Sequence, residues 1–259
     1  MILLVPLCGL LGLAIGSFLN VVIWRVPRGE SVINPPSACP RCEKAIRPRD
    51  NVPVLGWLLL RGKCRDCGEP ISVRYPLVEG GTALLFVVMA LRFGFDPVLP
   101  AYLFLAALGV ALALIDLDVQ RLPDALTLPA YPVVAVLLTM AALTGTHPGA
   151  LVRAVIGAAA LGGFYFAVWF AYPSGMGFGD VKLAPTLGAY LGWLSYGVLA
   201  AGAFLGFLYG GLVGIGLILF KEGGRKTKVP FGPFMLLGTL TAVLVGQDLV
   251  DAYVSATLG

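Results

Sequence analysis

Long apolar runs, broken by short polar segments, extend along almost the whole chain. A helix needs about 20 predominantly apolar residues to cross a bilayer. Eight stretches fit that description: 1–24, 76–94, 98–117, 124–144, 149–172, 181–195, 197–220 and 231–253. The sixth stretch is short and rich in glycine. This pattern predicts an all-α polytopic membrane protein with about eight transmembrane helices.

One long polar segment separates the first and second apolar stretches. It covers residues 25–75 and contains four of the five cysteines. The stretch 1–24 has no basic segment ahead of it and no clear small-residue cleavage site, so we expect a membrane helix there and not a signal peptide. The expected organisation is a first transmembrane helix (1–24), a cytoplasmic four-cysteine loop domain (25–75) and a seven-helix membrane domain (76–259).

The amino-acid composition supports a membrane location. Hydrophobic residues make up 58% of the 259 residues and charged residues 12%, and the mean hydropathy is +0.90. A soluble domain is about half apolar and about a quarter charged. We therefore expect the lipid bilayer to surround most of this chain.

The positive charges are concentrated on one predicted side of the membrane. Ten of the 18 Lys and Arg residues lie in segment 25–74, and four more lie in segment 221–228. If segment 25–74 is cytoplasmic, the alternating spans place 16 basic residues on that side and leave Arg92 and Arg153 on the other. Cytoplasmic loops are enriched in Lys and Arg. Membrane topology thus explains the basicity better than nucleic-acid binding does, and we expect no nucleic-acid partner.

The four cysteines of the loop form two pairs with the spacing of metal ligands. Cys39 and Cys42 are followed, after 21 intervening residues, by Cys64 and Cys67. Two such C-x-x-C knuckles are typical of a tetrahedral zinc site with four thiolate ligands and no open position, which makes the site structural. Two disulfides would require an oxidising compartment, contrary to the cytoplasmic side predicted above. A redox role would leave one of the two pairs unexplained.

Aspartates occur near the ends of two predicted membrane helices, although a charge inside a bilayer is costly. Asp116, Asp118 and Asp124 cluster after the third apolar stretch, and Asp180 follows a glycine-rich segment at the start of the sixth. The predicted topology puts both groups on the cytoplasmic side, where carboxylates from two helices could bracket a peptide bond. Two adjacent carboxyl groups share one proton and can act together as acid and base. The pattern therefore suggests an aspartic dyad.

These carboxylates also fit roles outside catalysis, and the residues alone leave those roles open. Asp118 and Asp124 could cap helices or pair with Arg121. Intramembrane carboxylates relay protons or ions in transporters, whereas a membrane assembly factor without chemistry has no need for them. The only histidine, His147, lies in a predicted turn on the other side. Protease mechanisms that require histidine at the site are thereby excluded.

Several segments in this order resemble the type IV prepilin peptidase family of bifunctional leader peptidases and N-methyltransferases. The resemblance covers nearly the whole chain. Its segments are Gly16-Ser-Phe-Leu-Asn, the two cysteine pairs, Asp50-Asn-Val-Pro, Arg74-Tyr-Pro-Leu-Val-Glu79, Asp116-Leu-Asp-Val-Gln-Arg-Leu-Pro-Asp124 and Gly177-Phe-Gly-Asp-Val-Lys182. The four-cysteine loop combined with the G-x-G-D segment is highly specific.

The resemblance implies a catalytic pair made of Asp180, from the G-x-G-D segment, and one aspartate of the first motif. The family's first motif places its aspartate eight positions before the residue that follows a Leu-Pro or Ile-Pro pair. Asp116 has that spacing to Asp124, so Asp116 is expected to be catalytic and Asp118 is not. Asp118 or Asp124 could instead attract the basic leader of a substrate.

The resemblance also implies the substrate, the second reaction and the location. The expected partners are prepilins or pseudopilins, which carry a basic leader, a glycine at the cut and then an apolar helix. The second reaction methylates the new N-terminal amine with S-adenosylmethionine, and the expected location is the bacterial inner membrane. Gly62 and Glu79 are plausible contributors to methyl-donor binding, although Gly62 could be a turn residue and Glu79 an interfacial cap. A peptidase without methyl transfer is the alternative within the family.

Overall fold

A computed structural model describes residues 1–145, 147, 149–173, 175–219 and 230–258. These residues are helical apart from their connections. The helices are α1 (Leu4–Arg25), α2 (Leu55–Leu59), α3 (Arg74–Phe93), α4 (Leu99–Val119), α5 (Asp124–Thr144), α6 (Ala150–Ala171), α7 (Phe178–Leu194), α8 (Tyr196–Leu219) and α9 (Gly232–Leu258). Two 3₁₀ turns, Val26–Arg28 and Pro48–Asp50, lie in the first connection. The predicted basic loop 221–228 lies outside the described residues.

The structure confirms the predicted all-α fold. Within the described ranges, seven helices are long and apolar enough to cross a membrane. The eighth long helix, α7, has 17 residues and corresponds to the short sixth stretch, 181–195. It begins three residues earlier than predicted, because Gly177 is extended (ψ 140°) and acts as its N-cap. The polar Asp180 therefore lies inside the first turn of the helix.

Residues Met1–Ala111 form one compact unit, in which α1 packs closely on α3. The contact is made at two glycines one helical turn apart. A Cβ atom on Gly12 would lie 2.6 Å from the Cα atom of Ala83, and one on Gly16 would lie 2.7 Å from the Cα atom of Glu79. Small residues spaced by four let helix backbones approach in membranes, where van der Waals packing drives association. This packing fixes the position of Glu79.

Residues Leu112–Gly259 form the second unit, and α7 is its central helix. Neighbouring helices on several sides contact α7: α5, α6, α8 and α9. The backbones of α6 and α7 touch where Gly157 meets Gly188 and Gly192, again a glycine pair spaced by four. Most of the α7 side chains are consequently buried, and Asp180 is held within a packed helix bundle.

Candidate active site and metal centre

Asp116 lies in the last turn of α4, with its side chain buried. Only 5% of its surface is exposed, and its Oδ2 atom accepts a hydrogen bond of 3.2 Å from the backbone N–H of Gly232. Asp118 is exposed, because residues two positions apart in an α-helix point about 200° apart around its axis. Of these two aspartates, Asp116 is the one directed into the helix bundle.

Asp180 lies at the third position of α7 and is also buried, with 6% of its surface exposed. The backbone of Gly177 makes a hydrogen bond to its carboxylate. An acidic side chain at this position reaches back to the N–H of the N-cap residue, which would otherwise lack a partner in the helix. The local sequence thus fixes the carboxylate against the helix start. Asp180 and Asp116 interact electrostatically.

Leu122 fills the space beside both aspartates. A Cβ atom on Gly179 would lie 3.0 Å from the Leu122 Cβ atom, and one on Gly232 would lie 3.4 Å from the two Leu122 methyl groups. Leu122 itself is buried. The connection after α4 therefore packs against the starts of α7 and α9, and the two glycines provide the room for it.

An ion pair joins the residue two positions after Asp180 to the first residue of α5. The ammonium group of Lys182 donates a hydrogen bond to Oδ1 of Asp124. The hydroxyl group of Tyr131 donates to the backbone carbonyl of Lys182 at 2.5 Å. These contacts tie α5 to α7 just after the first turn of α7. They also show that Asp124 already has a cationic partner within the chain.

The four loop cysteines converge on one point, as a shared metal requires. Their sulfur atoms all lie within 4.8 Å of one another, and the Sγ atoms of Cys39 and Cys67 are 3.7 Å apart. Sulfur ligands at about 2.3 Å from a tetrahedral zinc ion are separated by about 3.8 Å. All four cysteines are free thiols. The donor set and its spacing fit a tetrahedral metal ion such as zinc.

The two knuckles have the same backbone construction. In the first, the N–H of Cys39 donates to the carbonyl of Lys44, and in the second the N–H of Cys64 donates to the carbonyl of Glu69. A hydrogen bond from the backbone of Cys42, and a weaker one from the backbone of Arg41, lower the pKa of the Cys39 thiol to about 7. Backbone donors favour a thiolate, which is the form that binds metal.

Gly62 and Glu79, the predicted methyl-donor residues, both have partners within the first unit. Gly62 has a positive φ of 68°, and its carbonyl accepts from the N–H of Ile71 at 2.7 Å. Glu79 is buried, and its Oε2 atom accepts from the N–H of Val54 at 2.6 Å. Gly62 therefore makes a turn, which is the alternative role that its sequence context allowed. Glu79 ties the loop domain to α3.

The structure thus brings the two predicted catalytic aspartates together and, separately, the four predicted ligands. The sequence analysis missed Gly232, the hydrogen-bond donor to Asp116. A signal was present in Phe231-Gly232-Pro233 at the start of the last apolar stretch. Glycine followed by proline marks a helix start, but it does not identify the partner 116 residues away.

Comparison with known proteins places this arrangement in a family. Residues 10–93 match the bacterial peptidase A24 N-terminal domain, and residues 103–219 match the type IV leader peptidase family. A protein of Aeromonas hydrophila named prepilin leader peptidase/N-methyltransferase is 39% identical over 95% of this chain and 92% of its own length. Proteins with the same name from Pseudomonas putida (36% identical, 95% and 92% covered) and Bacillus subtilis (33%, 96% and 97%) are also similar.

No solved structure matches this chain significantly. The relatives exceed 30% identity, and the matches extend over almost all of the chain and of each relative. This chain belongs to the type IV leader peptidase family.

Proposed function

We propose that this protein removes the leader peptide from prepilins or pseudopilins and methylates the new N-terminus, with Asp116 and Asp180 as the catalytic pair. The observation that carries the assignment is that two buried carboxylates, from α4 and α7, interact electrostatically. These helices bear the first aspartate motif and the G-x-G-D segment. A buried carboxylate is costly in a membrane protein and is retained for function.

The chemistry follows from two carboxyl groups that share one proton. The ionised carboxylate removes a proton from a water molecule as that water attacks the scissile carbonyl carbon. The protonated carboxyl group donates a hydrogen bond to the carbonyl oxygen and then supplies a proton to the leaving amine. No covalent intermediate forms on the enzyme. Hydrogen bonds from the backbone of Gly177 and of Gly232 hold the two carboxylates in place.

The proposed substrate is a basic leader followed by a glycine and an apolar helix. The apolar helix would lie in the bilayer of the bacterial inner membrane, and the leader would reach the cytoplasmic edge where the aspartates lie. The bias of basic residues supports this sidedness. In Arg49→Cys, the new thiol is then expected to react with a membrane-impermeant maleimide only after the cells are permeabilised. Labelling of this thiol in intact cells would refute the sidedness.

The loop domain is proposed to bind one zinc ion through Cys39, Cys42, Cys64 and Cys67. Four thiolates close the coordination sphere, so the ion would stabilise the loop and take no part in peptide cleavage. S-adenosylmethionine supplies the methyl group when it is bound. We propose that Gly62 and Glu79 contribute to its site. Gly62 lies two residues before Cys64 of the second knuckle, and Glu79 is joined to the loop by its hydrogen bond from Val54.

The transporter alternative has no support, because the matched family and the named relatives are peptidases. The test is to incubate the purified protein with a prepilin and S-adenosylmethionine and to measure the product mass. We expect a cut after the glycine and a mass increase of one CH₂ on the mature chain. Cleavage without methylation would leave only the peptidase, and an intact prepilin would refute the proposal.

A further inference from the structure

The backbone N–H of Gly232 contacts the proposed catalytic pair from a third helix. Gly232 is the first residue of α9, and its N–H donates to Oδ2 of Asp116 at 3.2 Å. We propose that Gly232 is a positioning residue that orients the Asp116 carboxylate for cleavage. This inference rests on the proposed function, and it adds a role for a residue that lies outside both aspartate motifs.

The hydrogen-bond pattern at the start of α9 explains why this N–H is available. The first N–H groups of a helix have no partner within it. Pro233 has no N–H, and the N–H groups of Phe234 and Met235 donate to the carbonyl of Phe231. The N–H of Gly232 is therefore free to donate to a group outside α9, and the carboxylate of Asp116 accepts this hydrogen bond. A hydrogen bond to a carboxylate is stronger than one between neutral groups.

The space around Gly232 leaves no room for a side chain. A Cβ atom there would lie 2.7 Å from Oδ2 of Asp116 and 3.4 Å from the methyl groups of Leu122. Any other residue must push the carboxylate or the α9 start out of place. The hydrogen bond to Oδ2 fixes the orientation of the Asp116 carboxylate, and its oxygen atoms keep lone pairs for the shared proton and the attacking water.

Aromatic packing anchors the residue that precedes Gly232. The ring centroid of Phe231 lies 5.1 Å from that of Phe207 in α8 and 6.2 Å from that of Tyr165 in α6. Tyr165 also interacts electrostatically with Asp180. The start of α9 is thereby fixed to the helices around the carboxylate pair. A donor held in this way costs no reorganisation during the reaction.

The test compares Gly232→Ala with Gly211→Ala. Alanine favours a helix more than glycine does. A loss of cleavage in Gly232→Ala would therefore not be explained by a less stable α9. Gly211 in α8 has open space where a Cβ atom would be added, which makes it the matched control. For Gly232→Ala we expect kcat for prepilin cleavage to fall roughly 10- to 100-fold through displacement of Asp116, with KM within about twofold. Gly211→Ala should cleave like the wild type.

Methylation of an already cleaved pilin distinguishes positioning from general damage. If Gly232 positions the aspartate, Gly232→Ala should methylate this substrate at the wild-type rate while cleavage falls. Wild-type cleavage, or an equal loss of both reactions, would overturn the inference. Asp116→Asn is measured alongside. If Asp116→Asn still cleaves, the proposed pair is wrong; if it is inactive and Gly232→Ala is normal, the pair stands and only the role of Gly232 fails.

Discussion

Lys182, the fifth residue of α7, forms an ion pair with Asp124, the first residue of α5. Lys182 follows Asp180 by two residues, and Asp124 follows Asp116 by eight. The hydrogen bond from Tyr131 to the Lys182 carbonyl strengthens the same junction. The pair therefore connects the two chain segments that carry the proposed catalytic aspartates.

We predict that reversing one charge of this pair lowers prepilin cleavage and that reversing both restores it. Lys182→Glu places two carboxylates against each other, and like charges in contact repel. We expect about a tenfold fall in kcat, because a small displacement of reacting groups is costly. The Lys182→Glu/Asp124→Lys double variant re-forms the pair in the opposite sense and should recover most of that loss. Initial rates of cleavage measure both effects.

The double variant also tests the alternative role of Asp124. If Asp124 attracts the basic leader, a lysine at position 124 should repel it, and the double variant should stay impaired, with a raised KM. Recovery of kcat with an ordinary KM is expected if the pair is structural. Thermal stability should change little, since a partly exposed pair contributes about 0–1 kcal/mol, and 57% of the Asp124 side chain is exposed.

The four loop cysteines predict one tightly bound zinc ion per chain. Cys39→Ser and Cys67→Ser should each lower the zinc content and destabilise the loop domain, because binding of the metal contributes to folding. Cys8→Ala is the matched control, since Cys8 is buried in α1 and away from the cluster in sequence. Elemental analysis and thiol titration measure the outcome. Substoichiometric zinc in the wild type together with four freely reactive loop thiols would contradict a zinc site.

Glu79 is predicted to matter more for methylation than for cleavage. Glu79→Ala leaves the part-buried N–H of Val54 without its acceptor and is expected to destabilise the loop. Glu79→Gln keeps an acceptor oxygen and removes only the charge. If the carboxylate contributes to methyl-donor binding, Glu79→Gln should lose methylation and donor binding while its melting temperature stays close to that of the wild type.

Thr82→Ala provides the comparison on the same face of α3. Thr82 is buried, and its hydroxyl group donates to the carbonyl of Val78 within the helix. This variant is expected to retain methylation. Normal donor binding by Glu79→Gln, measured by calorimetry, would assign Glu79 a purely structural role in tying the loop to α3.

Hydrophobic length predicted the helices well, because each membrane crossing needs a run of apolar residues whatever its neighbours are. Predicted stretch 98–117 became α4 (Leu99–Val119), and stretch 124–144 became α5 with the same bounds. The start of α7 was less predictable. It depends on the cap made by Gly177 and Asp180, which the hydropathy pattern does not register.

The sequence was less informative about contacts between distant segments. The spacing of the cysteines predicted a four-sulfur cluster, because C-x-x-C knuckles are local structures. The hydrogen bond between Gly232 and Asp116 joins residues 116 positions apart, and only the packing of α9 brings them together. The sequence suggested Arg121 as a partner of Asp124, whereas the structure pairs Asp124 with Lys182, which is 58 positions away and on another helix. The choice of Asp116 as catalytic stays a prediction, supported by its burial.

The most direct test of the catalytic pair is prepilin cleavage by the wild type, Asp116→Asn and Asp180→Asn. Asparagine keeps the shape of aspartate but cannot act as an acid or a base. We predict that both variants fold, keep the zinc content of the wild type and lose cleavage. If Asp116→Asn still cleaves and Asp118→Asn does not, the first catalytic carboxylate is that of Asp118 and not that of Asp116. Normal cleavage by both Asp116→Asn and Asp180→Asn would contradict the account.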